Sequence, residues 1–360
     1  MTKYFSFYFI AFILSYLIIP SGLHGDDYIV VNSFNGYSFW NFIGLTPDEV
    51  GSLILNPVSF YGLWWAYALL GNEYQIIYDL IKILSSVISV YLIFRFFSDY
   101  MSYDRAIIAS FIFVLYPLHD TTLYWYMTLQ YILAPAILLY AHHLIRNNKI
   151  RKGFLVTIVG SFLSYASPPY LFGLTVIFLY EKKLKKAIMF ATPGILYVTY
   201  YFWMKFNYAG LERRINSDLS ILDFLKQMLI QPLSFLESAI GPSYWLKVFY
   251  AIESIGFISI IIITMILIFS VIRVKSVSKV RKVPKSLYIG LISVLLLSFG
   301  MFALTGLYSH SAFNLGNRTT VYGSLFIAFL IAALLPATKK SVIFLLIIFL
   351  APVFGLSDHW

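Results

Sequence analysis

The sequence predicts an all-α, polytopic membrane protein with about eleven transmembrane helices, and three observations predict it. Hydrophobic residues make up 60% of the 360 positions and charged residues only 12%, with a mean hydropathy of +0.80; a soluble domain carries about 25% charged residues. Apolar runs of helical length recur along the whole chain. Lys and Arg alternate in density between successive connecting segments, as they do in cytoplasmic and external loops.

The apolar segments fall at 4–20, 76–98, 106–118, 125–145, 154–168, 170–181, 187–204, 249–272, 287–307, 320–336 and 341–356. The first has only Lys3 in front and no small-x-small cleavage site behind, so it reads as a membrane helix rather than a signal peptide. The runs at 106–118 and 154–181 are short for a hydrocarbon core about 30 Å thick. With the N-terminus inside, the inner loops carry Arg95, Arg105, Arg146 to Lys152, Lys182 to Lys186, Arg273 to Lys285, and Lys339 with Lys340. The outer loops keep only Lys205, Arg213, Arg214, Lys226, Lys247 and Arg318. The expected setting is therefore a bacterial or archaeal cell membrane, with a cytoplasmic N-terminus. The +10 net charge belongs to inner loops facing anionic lipid, not to nucleic acid. Cysteine is absent, which excludes disulfides and thiolate chemistry.

The chain reads as one integral membrane domain over 1–360 with two long outer segments, 21–75 and 205–248. In the first, Thr46-Pro47-Asp48-Glu49 has the form of a capping box with proline at the first helical position, so a short helix starts there and breaks before Pro57. The aromatic run Val58 to Tyr67 is too short for a confident span and belongs in the interface. In the second, Ile221 to Leu229 shows helical apolar spacing and predicts another interfacial helix.

Candidate chemistry begins at Asp26 and Asp27, directly after the first apolar run. Carboxylates are costly near a membrane unless solvated or paired. Two adjacent ones repel, which raises at least one pKa and suits a general base; the plain alternative is a solvated loop. His119 and Asp120, at the outer end of the third span, form a second acidic site for positioning an acceptor, or merely cap a helix end. Two carboxylates and a histidine are a chemically feasible divalent-metal set, but the spacing is not diagnostic and neither metal nor cofactor is predicted. Arg318, in Gly316-Asn317-Arg318-Thr319-Thr320, is the foremost candidate for a phosphate contact, because guanidinium binds phosphate bidentately and a helix start lies beside it. Arg213 and Arg214 are its alternatives. Asp79 and Lys82, three residues apart on one face, are expected to pair with each other.

The order of these features resembles the membrane core of GT-C superfamily glycosyltransferases, of the protein O-mannosyltransferase-like kind. The residues that carry the resemblance are the acidic pair Asp26-Asp27, the proline segment Asn56-Pro57-Val58-Ser59-Phe60, the span following Gly71, and Tyr116-Pro117-Leu118-His119-Asp120 before Trp125. It covers roughly residues 1–150. One departure is Asn56, where such sequences often place a basic residue before the proline. The resemblance implies a polyprenyl-phosphate-linked sugar donor, an inverting transfer on the outer face to a glycan, lipid or protein acceptor, and Asp26 or Asp27 as base, with the first of the pair favoured. It implies a role in cell-surface polysaccharide or glycolipid assembly. The alternatives are a polysaccharide polymerase, which Arg213 and Arg214 would serve, and a flippase or other transporter, although no internal repeat is visible. A non-catalytic membrane subunit would leave the acidic groups dispersed.

Outer placement of these groups predicts that single cysteines introduced at 27, 120 and 318 are labelled by an impermeant reagent from outside intact cells. Labelling of 27 or 120 only after permeabilisation contradicts the topology and removes the mechanism with it.

Overall fold

A computed structural model describes residues 21–208, 219–273, 283–305, 310–336 and 338–359. The expected span at 4–20, and Arg213 and Arg214, lie outside the described residues. All described secondary structure is helical. The long elements are α1 (Asp26–Phe34), α2 (Gln75–Phe97), α3 (Tyr103–Val114), α4 (Asp120–Tyr124), α5 (Gln130–Arg146), α6 (Ile150–Leu163), α7 (Pro168–Tyr180), α8 (Leu184–Asn207), α9 (Ile221–Ile240), α10 (Pro242–Glu253), α11 (Phe257–Arg273), α12 (Lys285–Thr305), α13 (Val321–Leu334) and α14 (Lys339–His359).

The protein is an α-helical integral membrane protein; the described residues do not confirm the count of eleven spans. Five described stretches are long and apolar enough to cross a membrane: 75–97, 126–146, 184–207, 285–305 and 316–334. Three bent pairs bring the total to eight if each counts as one span. The differences have local causes. The run at 106–118 bends by 46° between α3 and the segment from Pro117, since proline cannot continue the preceding helix. The run at 249–272 is cut at Ser254 to Gly256, where the stretch 221–253 meets α11 with a bend of 105°. The run at 170–181 forms the 13-residue α7, too short to cross alone.

Two apolar cores hold the helices. The larger joins α2, α3, α5, α7, α12 and α13. Its tightest seam is α7 on α12, where Gly173 faces the backbone of Val294 and Gly290 faces Ile177; a Cβ at either glycine would collide with its neighbour. The smaller core sits under residues 23–70, over the ends of α5, α6 and α8. Side chains tie this segment to the helix ends. Ser59 donates to the Leu163 carbonyl (2.6 Å), Tyr197 to Leu55 (2.9 Å) and Tyr200 to Ile54 (2.7 Å). Asn56 Oδ1 accepts from the Tyr165 amide at 2.7 Å, so this side chain is committed to backbone. The capping box forms as expected, with Glu49 accepting from the Thr46 amide (2.7 Å) and hydroxyl (2.8 Å).

At the opposite end of the bundle, the basic residues are partly structural. Arg105 is buried and donates to the carbonyls of Ala332, Ala333 and Leu335, completing the last turn of α13. Arg146 pairs with Glu181 at 2.7 Å and lies over the Tyr100 ring.

Candidate functional site

The site is built on the stretch 117–131, which turns from α3 into α5 through two short 3₁₀ segments and α4. Each predicted group that the structure describes can be placed against it. Asp27 is fully buried. Its Oδ1 accepts from the Tyr67 hydroxyl at 2.5 Å and the Met127 amide at 3.0 Å; its Oδ2 accepts from the His24 amide at 3.0 Å and the Tyr126 amide at 3.3 Å. This carboxylate staples the turn at 24–27 to the start of the 126–128 segment. Burial raises the Asp27 carboxyl above its ordinary value, against the downward pull of Tyr67, the His24 and Met127 amides and the charge of Lys82. The repulsion between neighbouring aspartates expected from sequence is not the cause.

Asp26 faces the other way. In the first turn of α1, adjacent side chains diverge by about 100°, and Asp26 is exposed while Asp27 is buried. Gly25 makes this possible. It has φ +50° and lies against the Trp125 indole, where a Cβ would stand 2.8 Å from Cζ2. The accessible carboxylate of the pair is therefore Asp26, and its partner is an anchor.

A buried clamp holds the chain just before them. Lys82 pairs with Asp79 at 2.7 Å, as expected, and also donates to Ser21 Oγ (2.6 Å) and to the carbonyls of Gly22 (2.6 Å) and Tyr124 (2.8 Å). Asp79 in turn accepts from the Ser21 hydroxyl (3.1 Å) and the Gly22 amide (3.1 Å). Burial, with the charge of Lys82, pushes His24 down to about 4, so it is neutral at neutral pH.

Asp120 is buried and engaged. Its Oδ1 accepts from Lys247 of α10 (2.6 Å) and from the Asn317 amide nitrogen. Lys247 also reaches the Ala312 carbonyl at 2.6 Å. Asp120 thus fastens the 310–320 segment and α10 to α4. His119 Nε2 lies 2.7 Å from Ser324 Oγ at the start of α13, a helix-end contact. Asn317-Arg318-Thr319 has the form of a glycosylation sequon, but Asn317 is fully buried, which closes it to glycosylation in the folded chain.

Arg318 is half-buried, with its guanidinium 5.6 Å from the centroid of the Tyr131 ring. The Tyr131 hydroxyl is hydrogen-bonded to that of Tyr165. Tyr165 lines an apolar cavity of 540 Å³ between α7, α8, α9 and α12, walled by residues such as Phe172, Tyr197, Phe224, Met228 and Met301. Phe202, Leu296, Leu297 and Leu304 line it and remain exposed, so it opens onto the apolar flank of the bundle. His310, pushed down to about 3 by burial, touches Thr319 (3.0 Å) beside Arg318 and sits among Phe235, Phe299 and Phe302.

The structure thus brings Asp27, Asp120 and Arg318 onto one 15-residue stretch, 117–131, while the exposed Asp26 faces away from the Asp27 anchor. Sequence reading missed the anchoring residues Tyr67, Lys247 and Asn317, and the cavity. Among the described residues, no three of His, Asp and Glu gather as a metal site. No protein-family model matches the chain, and neither does any curated protein or solved structure.

The Asp27 anchor makes a pH-dependent prediction. Tyr67 donates more strongly to a carboxylate than to a carboxylic acid. Its removal therefore raises the folded-state pKa of Asp27 further above the unfolded value, and stability falls over a window reaching higher pH. Tyr67→Phe is expected to lower the melting temperature more at pH 8 than at pH 3, below the ordinary carboxylate value, in detergent melts. An equal loss at both pH values contradicts the ionised anchor.

Proposed function

We propose that the protein is a membrane glycosyltransferase, GT-C-like in architecture, that takes a sugar from a polyprenyl-phosphate-linked donor on the external face of the membrane. The observation that carries this reading is the link from Arg318, through the Tyr131–Tyr165 pair, to an apolar, laterally open cavity lined by Tyr165. A phosphate on a long hydrocarbon needs that combination: a cation for the headgroup and an apolar flank for the chain.

The chemistry follows from charge. An acceptor hydroxyl attacks the anomeric carbon and loses its proton to Asp26, the exposed carboxylate of the pair. The bond from that carbon to the phosphate oxygen breaks, and the lipid phosphate leaves with its negative charge opposite Arg318. Attack from the face opposite the leaving group inverts the anomeric centre. Asp27 holds the turn that carries Asp26 on residues 126–127. Asp120, fastened to Lys247 and Asn317, shapes the donor side and does not serve as the base. The acceptor is a glycan, lipid or protein hydroxyl, in the setting of surface polysaccharide or glycolipid assembly. A flippase or polymerase would use the same cavity and arginine without the carboxylate chemistry.

The test is sugar transfer in membranes from a polyprenyl-phosphate-linked donor. Asp26→Asn is expected to lose at least about 100-fold in rate with unchanged melting temperature. Arg318→Ala is expected to lose activity with weakened donor binding. Full activity in both Asp26→Asn and Asp27→Asn removes the base assignment. Position 26 also replaces the buried positions 27 and 120 for the labelling experiment.

A further inference from the structure

Two glycines stand on α12, Gly290 and Gly300, and packing explains only the first. A Cβ at Gly290 would stand 2.2 Å from Ile177 Cγ1, so the close approach of α7 demands glycine there. A Cβ at Gly300 would meet no atom within 4 Å among the described residues. The backbone at Gly300 is helical, so no left-handed turn calls for glycine either. Inside a helix glycine is less favourable than alanine, and nothing the described chain places beside Gly300 offsets that.

The gap has a defined place. Residues four apart lie over one another on a helix, so Leu296, Gly300 and Leu304 form one row. All three line the apolar cavity. Leu296 and Leu304 are exposed and Gly300 is half-buried, which puts the row at the mouth, where the cavity opens onto the flank of the bundle. The missing middle side chain leaves a notch between two leucines. A cavity of 540 Å³ encloses a ligand of drug size, only part of a polyprenyl chain. The remainder of such a chain has to leave through the mouth into the bilayer. Its methyl branches make it wider, at regular intervals, than a straight acyl chain. A notch with room for one added carbon receives a branch and gains nothing from a straight chain.

We propose that the notch at Gly300 receives a methyl branch of the donor's hydrocarbon as it passes from the cavity to the bilayer, and so selects isoprenoid over straight-chain lipid phosphates. This rests on the donor-site reading above. It divides recognition: Arg318 meets the phosphate that many lipids share, and Gly300 reads the branching that distinguishes an isoprenoid from the acyl chains of the surrounding membrane.

Binding tests this without requiring turnover. The probes are geranylgeranyl phosphate, phytanyl phosphate, which keeps the branches without the double bonds, and hexadecyl phosphate, which has the same backbone without branches. Each is titrated against the purified full-length chain in nanodiscs. The wild type is expected to bind both branched phosphates about 4-fold more tightly than hexadecyl phosphate, the effect of burying one methyl group. Gly300→Ala is expected to remove that preference by weakening the branched ligands, with hexadecyl phosphate unchanged. Its melting temperature without ligand is expected to equal or exceed that of the wild type, since alanine favours the helix. A defect of folding would move stability and affinity down together. Gly300→Leu, which completes the leucine row, is expected to weaken the branched ligands further. The wild-type preference needs no variant and stands as a readout by itself. If none of the three phosphates binds the wild type, the donor-site reading fails and this inference with it. If they bind with equal affinity, or Gly300→Ala keeps the preference, or phytanyl phosphate binds no better than hexadecyl phosphate, the phosphate site stands and the role of Gly300 is overturned.

Discussion

A carboxylate removed from water must find donors for its lone pairs, and Asp27 finds four. Three are backbone amides from two segments about 100 residues apart, and the fourth is Tyr67 on a third segment. Burying this one side chain therefore fixes how the 21–70 segment lies over the head of α5. Tyr67, Tyr78 and Tyr126 pack their rings against each other behind it, with centroids 4.9 to 5.9 Å apart, which keeps water from competing for the carboxylate. Exposure of Asp26 is the complement: with one carboxylate of the pair held in structure, the other is the accessible one.

The same device recurs twice. Lys82 with Asp79 gathers Ser21, Gly22 and Tyr124; Lys247 with Asp120 gathers Ala312 and Asn317. Both are buried ion pairs, and losing one partner of such a pair typically costs about 3–5 kcal/mol because the other charge is stranded. Their value here is geometric, since each draws backbone of non-helical stretches to a helix flank. The three clusters meet on residues 117–131: Lys82 holds Tyr124, Asp27 holds 126 and 127, and Asp120 belongs to the stretch itself. Arg318 then stacks on Tyr131, one helical turn beyond the Asp27 contact at 127. Charges that would be costly singly are tolerated because each is paired and hydrogen-bonded.

What could be read from the sequence followed short-range rules. The capping box at 46–49 and the Asp79–Lys82 pair are set by spacings of three residues, and both are present. The all-helical membrane class follows from composition. Among the described residues, expected spans are interrupted where the apolar window cannot see a bend, as at Leu115–Tyr116 and Ser254–Gly256, or where a run such as 170–181 is apolar but short. Asp26 and Asp27 are indistinguishable by type, and only the rotation between successive helical residues assigns them opposite surroundings. The Asp120–Lys247 pair spans 127 positions and leaves no local trace. Lys247 reads from sequence as one of a few outer-loop cations. The apolar cavity draws its walls from four helices, three of which read from sequence as membrane spans and the fourth, α9, as an interfacial helix.

The account's central claim is that lipid-linked sugar is consumed by direct displacement at an external site. The most direct measurement uses the purified chain in proteoliposomes with a polyprenyl-phosphate-linked sugar of known anomeric configuration, following released polyprenyl phosphate together with the configuration of the glycoside formed. The account predicts one lipid phosphate released per sugar transferred and an inverted anomeric centre. A retained configuration, or movement of intact donor across the bilayer with no release, would contradict it.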